Sequence, residues 1–188
     1  MEHLDSILLR GDQAALKRMA GAENQALLRR RDALLTEATR EHLAGRLPFC
    51  QLTAIAQAAE ALYNGSLPPV ACCGAVAGNT SAISRAYMLM LLRAWGMPVL
   101  DLGTDVSVDV FLQAIQQNKL QFAVCAVFSA VDAEFVRRLH AEAVRQELRG
   151  QFRLLACGAS LEHETLPLDT QETRTAAAAE WMVRAWKG

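Results

Sequence analysis

Residues Val70 to Ala77 form an apolar run without alternation, Val-Ala-Cys-Cys-Gly-Ala-Val-Ala, which limits the fold more than any other stretch. A strand with one solvated face alternates; an unbroken run of this length fits a parallel strand covered on both faces. Gly78, Asn79, Thr80 and Ser81 follow with turn and helix-capping chemistry. From about Ala82 to Trp95 the chain reads as an unusually apolar helix, Gly96 ends it, and Pro98 enters the next strand. Strand, loop, helix, turn and strand make a right-handed βαβ unit. Open parallel sheets bind ligands at the carboxyl ends of their strands, so a small-molecule site is expected at the Gly78–Ser84 loop.

The rhythm continues to the end of the chain. Val99 to Leu102 is the second predicted strand, and Thr104-Asp105-Val106-Ser107 caps a helix to about Gln117. Phe122 to Phe128 is the third strand, Ser129 to Asp132 leads into a helix ending near Gly150, and Phe152 to Ala156 is the fourth. Residues 158–168 read as loop with room for a short fifth strand, and Thr173 to Trp186 as a closing helix. The expected class is α/β, with a flavodoxin-like doubly wound five-stranded parallel sheet.

Residues 1–64 read differently, as four helices joined by short turns. Leu4, Ile7, Leu8 and Leu9 mark the first; Ala14, Ala15, Leu16 and Met19 the second. The third spans about Asn24 to Leu43 and the fourth Phe49 to Tyr63, separated by a Gly45–Pro48 turn. A four-helix bundle cap is the expected N-terminal module. The clearest linker is Asn64-Gly65-Ser66-Leu67-Pro68-Pro69, which predicts modules at 1–64 and 70–188 joined by 65–69.

A net charge of -1 argues against nucleic acid or an anionic membrane surface as partner. The single basic cluster, Arg29-Arg30-Arg31, reads as a solvated helix face. No stretch approaches 18 uninterrupted apolar residues, and no charged leader precedes an apolar segment and cleavage site, so neither membrane span nor export signal is expected. Five cysteines without paired spacing suit a reducing compartment; together these features predict a cytoplasmic protein.

The helical cap, Pro linker and five-stranded domain together resemble the corrinoid proteins of methyltransferase systems, with their methionine-synthase-type cobalamin-binding module. The clearest local match is Gly-Met-Pro-Val-Leu-Asp-Leu-Gly-Thr-Asp-Val-Ser, residues 96–107. The family's signature is Asp-x-His-x-x-Gly on the first loop, Ser-x-Leu after the third strand and Gly-Gly after the fourth. The matching positions here are Asn79-Thr80-Ser81-Ala82-Ile83-Ser84, Ala126-Val127-Phe128 and Cys157-Gly158. Spacing is kept while most side chains differ. Ser81 stands where the family has the His that ligates cobalt, and Asn79 where it has the Asp that would orient such a His. Ser84 replaces a Gly where backbone approaches ligand, Ala126 lacks the hydroxyl that would bond the nucleotide base, and Cys157 sits where the threaded tail would need room.

The resemblance implies cobalamin or another corrinoid bound base-off without a His ligand, by a methyl-carrier subunit that works with a methyltransferase partner. The candidate cofactor-binding residues are Asn79, Thr80, Ser81 and Ser84 on the first loop, and Thr104 and Asp105 after the second strand. Phe128 and Ser129 follow the third strand, and Cys157, Gly158, Ala159 and Ser160 end or follow the fourth. No catalytic residue and no metal ligand is assigned, although His42 and His163 remain open as substitute ligands. Two alternatives stay open: a cofactor-free regulatory or protein-interaction module on the same fold, and a flavin- or nucleotide-binding protein using Gly78–Ser81 as a phosphate loop. The loop lacks both Gly-x-Gly-x-x-Gly and the Lys-containing phosphate motif. Adjacent Cys72 and Cys73 point to opposite faces of one strand, and with Cys125 read as core.

Overall fold

The computed structural model describes residues 25–63, 65–79, 82–127, 129–158, 161 and 165–188. The first two expected helices lie outside these residues. Helices α1 (Gln25–Leu43) and α2 (Phe49–Glu60) match the third and fourth. There follow β1 (Ala71–Val76), α3 (Ile83–Ala94), β2 (Val99–Val106), α4 (Val108–Asn118), β3 (Phe122–Ala126), α5 (Ala130–Arg145), β4 (Arg153–Cys157), β5 (Thr170–Glu172) and α6 (Thr175–Lys187).

All strand pairs are parallel, in the order β2-β1-β3-β4-β5, the flavodoxin-like arrangement. β1, β3 and all of β4 but its first residue are buried, which accounts for their unbroken apolar runs. Cys73, Val124, Leu155 and Cys157 face α3 and α6; Cys72, Ala123, Cys125, Leu154 and Ala156 face α4 and α5. Cys72 and Cys73 thus divide between the two cores, as strand geometry requires.

Helices α1 and α2 share the first of these cores. Leu35, Leu52, Ile55, Ala56 and Ala59 join one apolar cluster with Met88, Leu91, Leu92, Cys73 and Met182. Arg31 is 4% exposed, so it leaves the solvated face expected of the Arg29–Arg31 run. Its Nη2 donates to the Trp95 carbonyl at 3.0 Å, and Nε and Nη2 reach Asp32 at 3.1 and 2.8 Å. A charge is tolerated there because it satisfies a carbonyl just past the end of α3. Gly96 is required beside it: its φ is +78°, and a Cβ would lie 2.9 Å from Arg31 Nη2. Lys187 pairs with Asp32, so α6 joins the same knot.

Two expected boundaries move. β2 runs on to Val106 rather than ending at Leu102, because it pairs irregularly: Cys73 faces Asp101, Gly74 faces Gly103 and Val76 faces Val106. Thr104, Asp105 and Val106, expected to cap the next helix, lie instead in the bulged end of β2, with Gly103 and Asp105 at φ +90° and +56°. Bulges of this kind also blunt a sheet edge. The fifth strand lies at Thr170–Glu172, beyond the 158–168 stretch that had room for it. Its three polar, half-buried residues carry no strand pattern. Ser107 caps α4 as expected, its hydroxyl accepting from Val110 N at 3.4 Å.

Candidate functional site

With the order β2-β1-β3, the chain leaves β1 in opposite directions at its two neighbours, and the switch point lies between β1 and β3. The loops that leave the carboxyl ends of those strands define the candidate site. Thr80, Ser81, Phe128, Ala159, Ser160 and His163 lie outside the described residues; the others can be placed.

Asn79 is 7% exposed and turns inward. Its Nδ2 donates to the Ala126 carbonyl at 3.4 Å and to Asp132 Oδ2 at 3.3 Å. Its backbone N–H donates to Val76 O at 2.9 Å, and its carbonyl accepts from Asp105 N at 3.2 Å. Asp105 closes the loop from the β2 side, its Oδ1 accepting from Gly78 N at 2.7 Å. Asn79 and Asp105 therefore hold the loop in place, with these polar groups engaged by protein. Thr104 is exposed, and Ser84 and Ser129 are half-buried.

Ser129 belongs to a capping box at the start of α5. Its backbone N–H donates to Asp132 Oδ2 at 3.0 Å and its hydroxyl to Asp132 Oδ1 at 3.1 Å. Asp132 is 4% exposed, and no expectation drawn from the sequence assigned it a site role. The signal that could have found it is the spacing Ser129-x-x-Asp132, a capping-box pattern just beyond a buried strand.

The end of β4 is tighter. Cys157 is fully buried in the α3–α6 core, and burial pushes its thiol up to about 12 despite a hydrogen bond with Thr175. Gly158 donates to Glu172 O at 3.1 Å, and a Cβ on it would overlap the Val127 carbonyl. By contrast, a Cβ on Gly78 or Gly103 would meet nothing within 4 Å, so the backbone near the ends of β1 and β2 is uncrowded.

The rim of this edge is apolar. Among the described residues six large hydrophobic side chains are exposed, and four of them, Phe49, Ile83, Val110 and Val131, sit in the first turns of α2, α3, α4 and α5. The first turns of α3, α4 and α5 face the carboxyl edge because each of those helices follows a parallel strand. Phe49 joins them by packing on Tyr87 of α3, ring centroids 4.9 Å apart. His42 faces Phe49 at 6.2 Å, and its Nδ1 lies 3.0 Å from the Leu47 carbonyl in the α1–α2 turn. Among the described residues no three His, Cys, Asp or Glu side chains converge as a metal site, and no helix is long and apolar enough to cross a membrane.

The architecture is a flavodoxin-like sheet with a helical segment packed against one of its helical layers, and the candidate site is the carboxyl edge at its switch point. This is the fold of cobalamin-binding and corrinoid proteins of methyltransferase systems. A cobalamin-binding protein from Desulfitobacterium hafniense DCB-2 matches with a TM-score of 0.77 at 17% identity, over 98% of this chain and 97% of that one. The methanol:cobalamin methyltransferase complex MtaBC from Methanosarcina barkeri matches with a TM-score of 0.74 at 16% identity, over 96% of this chain and 78% of the matched chain. The monomethylamine corrinoid protein of the same organism matches with a TM-score of 0.58 at 16% identity, over 97% and 96%. No protein-family model matches the sequence, and no curated protein matches it.

Proposed function

We propose that the chain binds a corrinoid at the carboxyl edge of its sheet, as a methyl-carrier subunit working with a methyltransferase, and that it does so without a protein imidazole beneath the cobalt. The observation that carries this reading is the extent of the likeness. A flavodoxin-like sheet alone hosts many functions. Here the match runs through the helical segment as well, over 96–98% of the chain, to three proteins described as cobalamin-binding or corrinoid proteins or their complexes.

The described residues fit a large ligand with a broad apolar face and a polar periphery. Phe49, Ile83, Val110 and Val131 offer apolar surface around the mouth. The backbone at Gly78 and Gly103 leaves open space, and the hydroxyls of Thr104, Ser129 and Ser84 lie at the ends of the strands or in the first turn of α3. When bound, a corrinoid supplies a cobalt centre able to accept and donate a methyl group. The chain's own part is to orient that group, shield it from water and present one face to a partner.

A second reading has its own support. Asn79 is turned inward and Cys157 is buried in the core, so the positions matched to the family's His-orienting Asp and to the room for its threaded tail contribute to loop closure and packing. That favours a cofactor-free interaction module whose apolar rim meets protein. An anaerobic titration with hydroxocobalamin, followed by cobalt analysis after desalting, separates the two. Close to one cobalt per chain is the expected result; complete wash-out overturns the corrinoid reading and leaves the interaction module.

A further inference from the structure

We propose that Asp132 is a positioning residue: with Asn79 it forms a matched donor–acceptor lock that seats the first loop across the β1/β3 switch point, and it is the reason position 79 carries an amide. Its functional half rests on the corrinoid reading above; its structural half does not.

The Asn79 amide faces two acceptors, the Ala126 carbonyl at 3.4 Å and Asp132 Oδ2 at 3.3 Å. An amide nitrogen has two hydrogens to give, which suits two acceptors on different elements. A carboxylate at position 79 would bring a second acid-type acceptor against Asp132 and against that carbonyl, in a site where both side chains are more than nine-tenths buried. Asp132 cannot readily turn away, because its two oxygens also accept from Ser129 N and Oγ at 3.0 and 3.1 Å. Capping α5 therefore fixes a carboxylate at the β3 side of the crevice, and that carboxylate selects a donor at the β1 side. The Asp expected from the resemblance is replaced by Asn because its partner here is an acid.

The consequence is positional. Asn79 is the last described residue before the loop that leads into α3, and Asp105 holds the residue before it, Gly78, from the other side. With Asp132 bonded to Asn79, the loop is tied at its origin to both β2 and α5. Ser84, in the first turn of α3, then follows an anchored base.

The test is a reciprocal exchange in the full chain: Asn79→Asp, Asp132→Asn and the two combined, read by hydrogen exchange of the peptide covering 77–86. Asn79→Asp is expected to raise exchange there about tenfold, the scale of one lost hydrogen bond, while amides 133–138 of α5 keep wild-type protection. The double exchange is expected to raise exchange by less than the product of the two single effects, because it relieves the contact between two acids while position 79 stays mismatched with the Ala126 carbonyl and position 132 with Ser129 N; a merely bulky or destabilising change would not show that coupling. Unchanged exchange in Asn79→Asp, or a double variant in which the two single effects simply multiply, overturns the lock. If Asn79→Asp does not fold, Asn79→Ala takes its place and is expected to give the same local loosening. Cobalt retained from hydroxocobalamin is the second readout: if wild type retains it, Asn79→Asp is expected to weaken retention about tenfold, and unchanged retention overturns the positioning role. If wild type retains none, the corrinoid reading fails while the exchange data still decide the lock.

Discussion

Burial sets the chemistry of individual residues here more than sequence position does. Cys72 and Cys157 have thiols pushed by burial up to about 12, and Cys73 and Cys125 are likewise raised; Cys50 is the exposed one of the five. Because the thiolate is the reactive form, native protein at pH 8 is expected to titrate one fast thiol with a disulfide reagent, and five in denaturant. Two or more fast native thiols would contradict the packing of β1, β3 and β4. The same shifts have a sign in stability. Folded thiols of Cys72 and Cys157 stay neutral above the ordinary value of 9.0, whereas unfolded ones ionise there, so their contribution is complete below that pH and is lost as pH rises toward about 12. The urea midpoint should accordingly be lower at pH 10 than at pH 7.5. Gly158 is the other residue whose surroundings decide its identity. Gly158→Ala would force its Cβ into the Val127 carbonyl and is expected to cost at least about 2 kcal/mol in urea unfolding. That position was legible in the sequence only as a Gly at a strand end; the carbonyl it must pass belongs to an element about thirty residues earlier.

Elements follow their local patterns closely where burial is two-sided, and depart from them where contacts come from afar. β1, β3 and β4 were readable because their apolar runs reflect cover on both faces. β2 was under-read because a bulged edge strand carries Gly103 and Asp105 inside it, and β5 was misplaced because three polar residues give no periodicity. Arg31 shows the same limit for a helix. Flanked by Arg29, Arg30 and Asp32, it looks like part of a solvated charge run, yet it reaches Trp95 O, 64 residues away. Nothing local distinguishes it from Arg30. Because removing the buried charged donor leaves the Trp95 carbonyl without it, Arg31→Ala is expected to lower stability by about 2 kcal/mol. Arg30→Ala should stay within about 0.5 kcal/mol, as exposed substitutions do. Equal effects in urea titrations would show that the contact with the end of α3 contributes nothing.

At the scale of the molecule, the linker at 65–69 marks a change from helices to sheet, but the packing across it is continuous. Leu35 and Leu52 are fully buried in the same cluster as Met88, Leu91 and Met182, and Arg31, Asp32 and Lys187 tie α1 to α3 and α6. Glu60 and Arg93 add an ion pair at 3.7 Å, and Arg174 donates to Leu43 O at 3.1 Å. The order of elements and the doubly wound topology could be read from the alternation of runs along the chain. The sharing of one core could not, because the helical faces of α1 and α2 show that they bury something without showing what. For the candidate site, topology points to an edge, whereas the pairing of Asn79 with Asp132 depends on the end of β1 meeting the first turn of α5 in space. Shared burial has a measurable consequence. If α1 and α2 rode on the sheet as an independent module, their melting would cost only a small interface and would precede that of the sheet. With α3 sandwiched between them and β1, exposing α2 uncovers the apolar residues of α3 as well. Calorimetry of the full chain is therefore expected to give one transition with equal calorimetric and van't Hoff enthalpies. Two resolved transitions would place the helical segment outside the cooperative core and would make its displacement from the crevice an inexpensive motion.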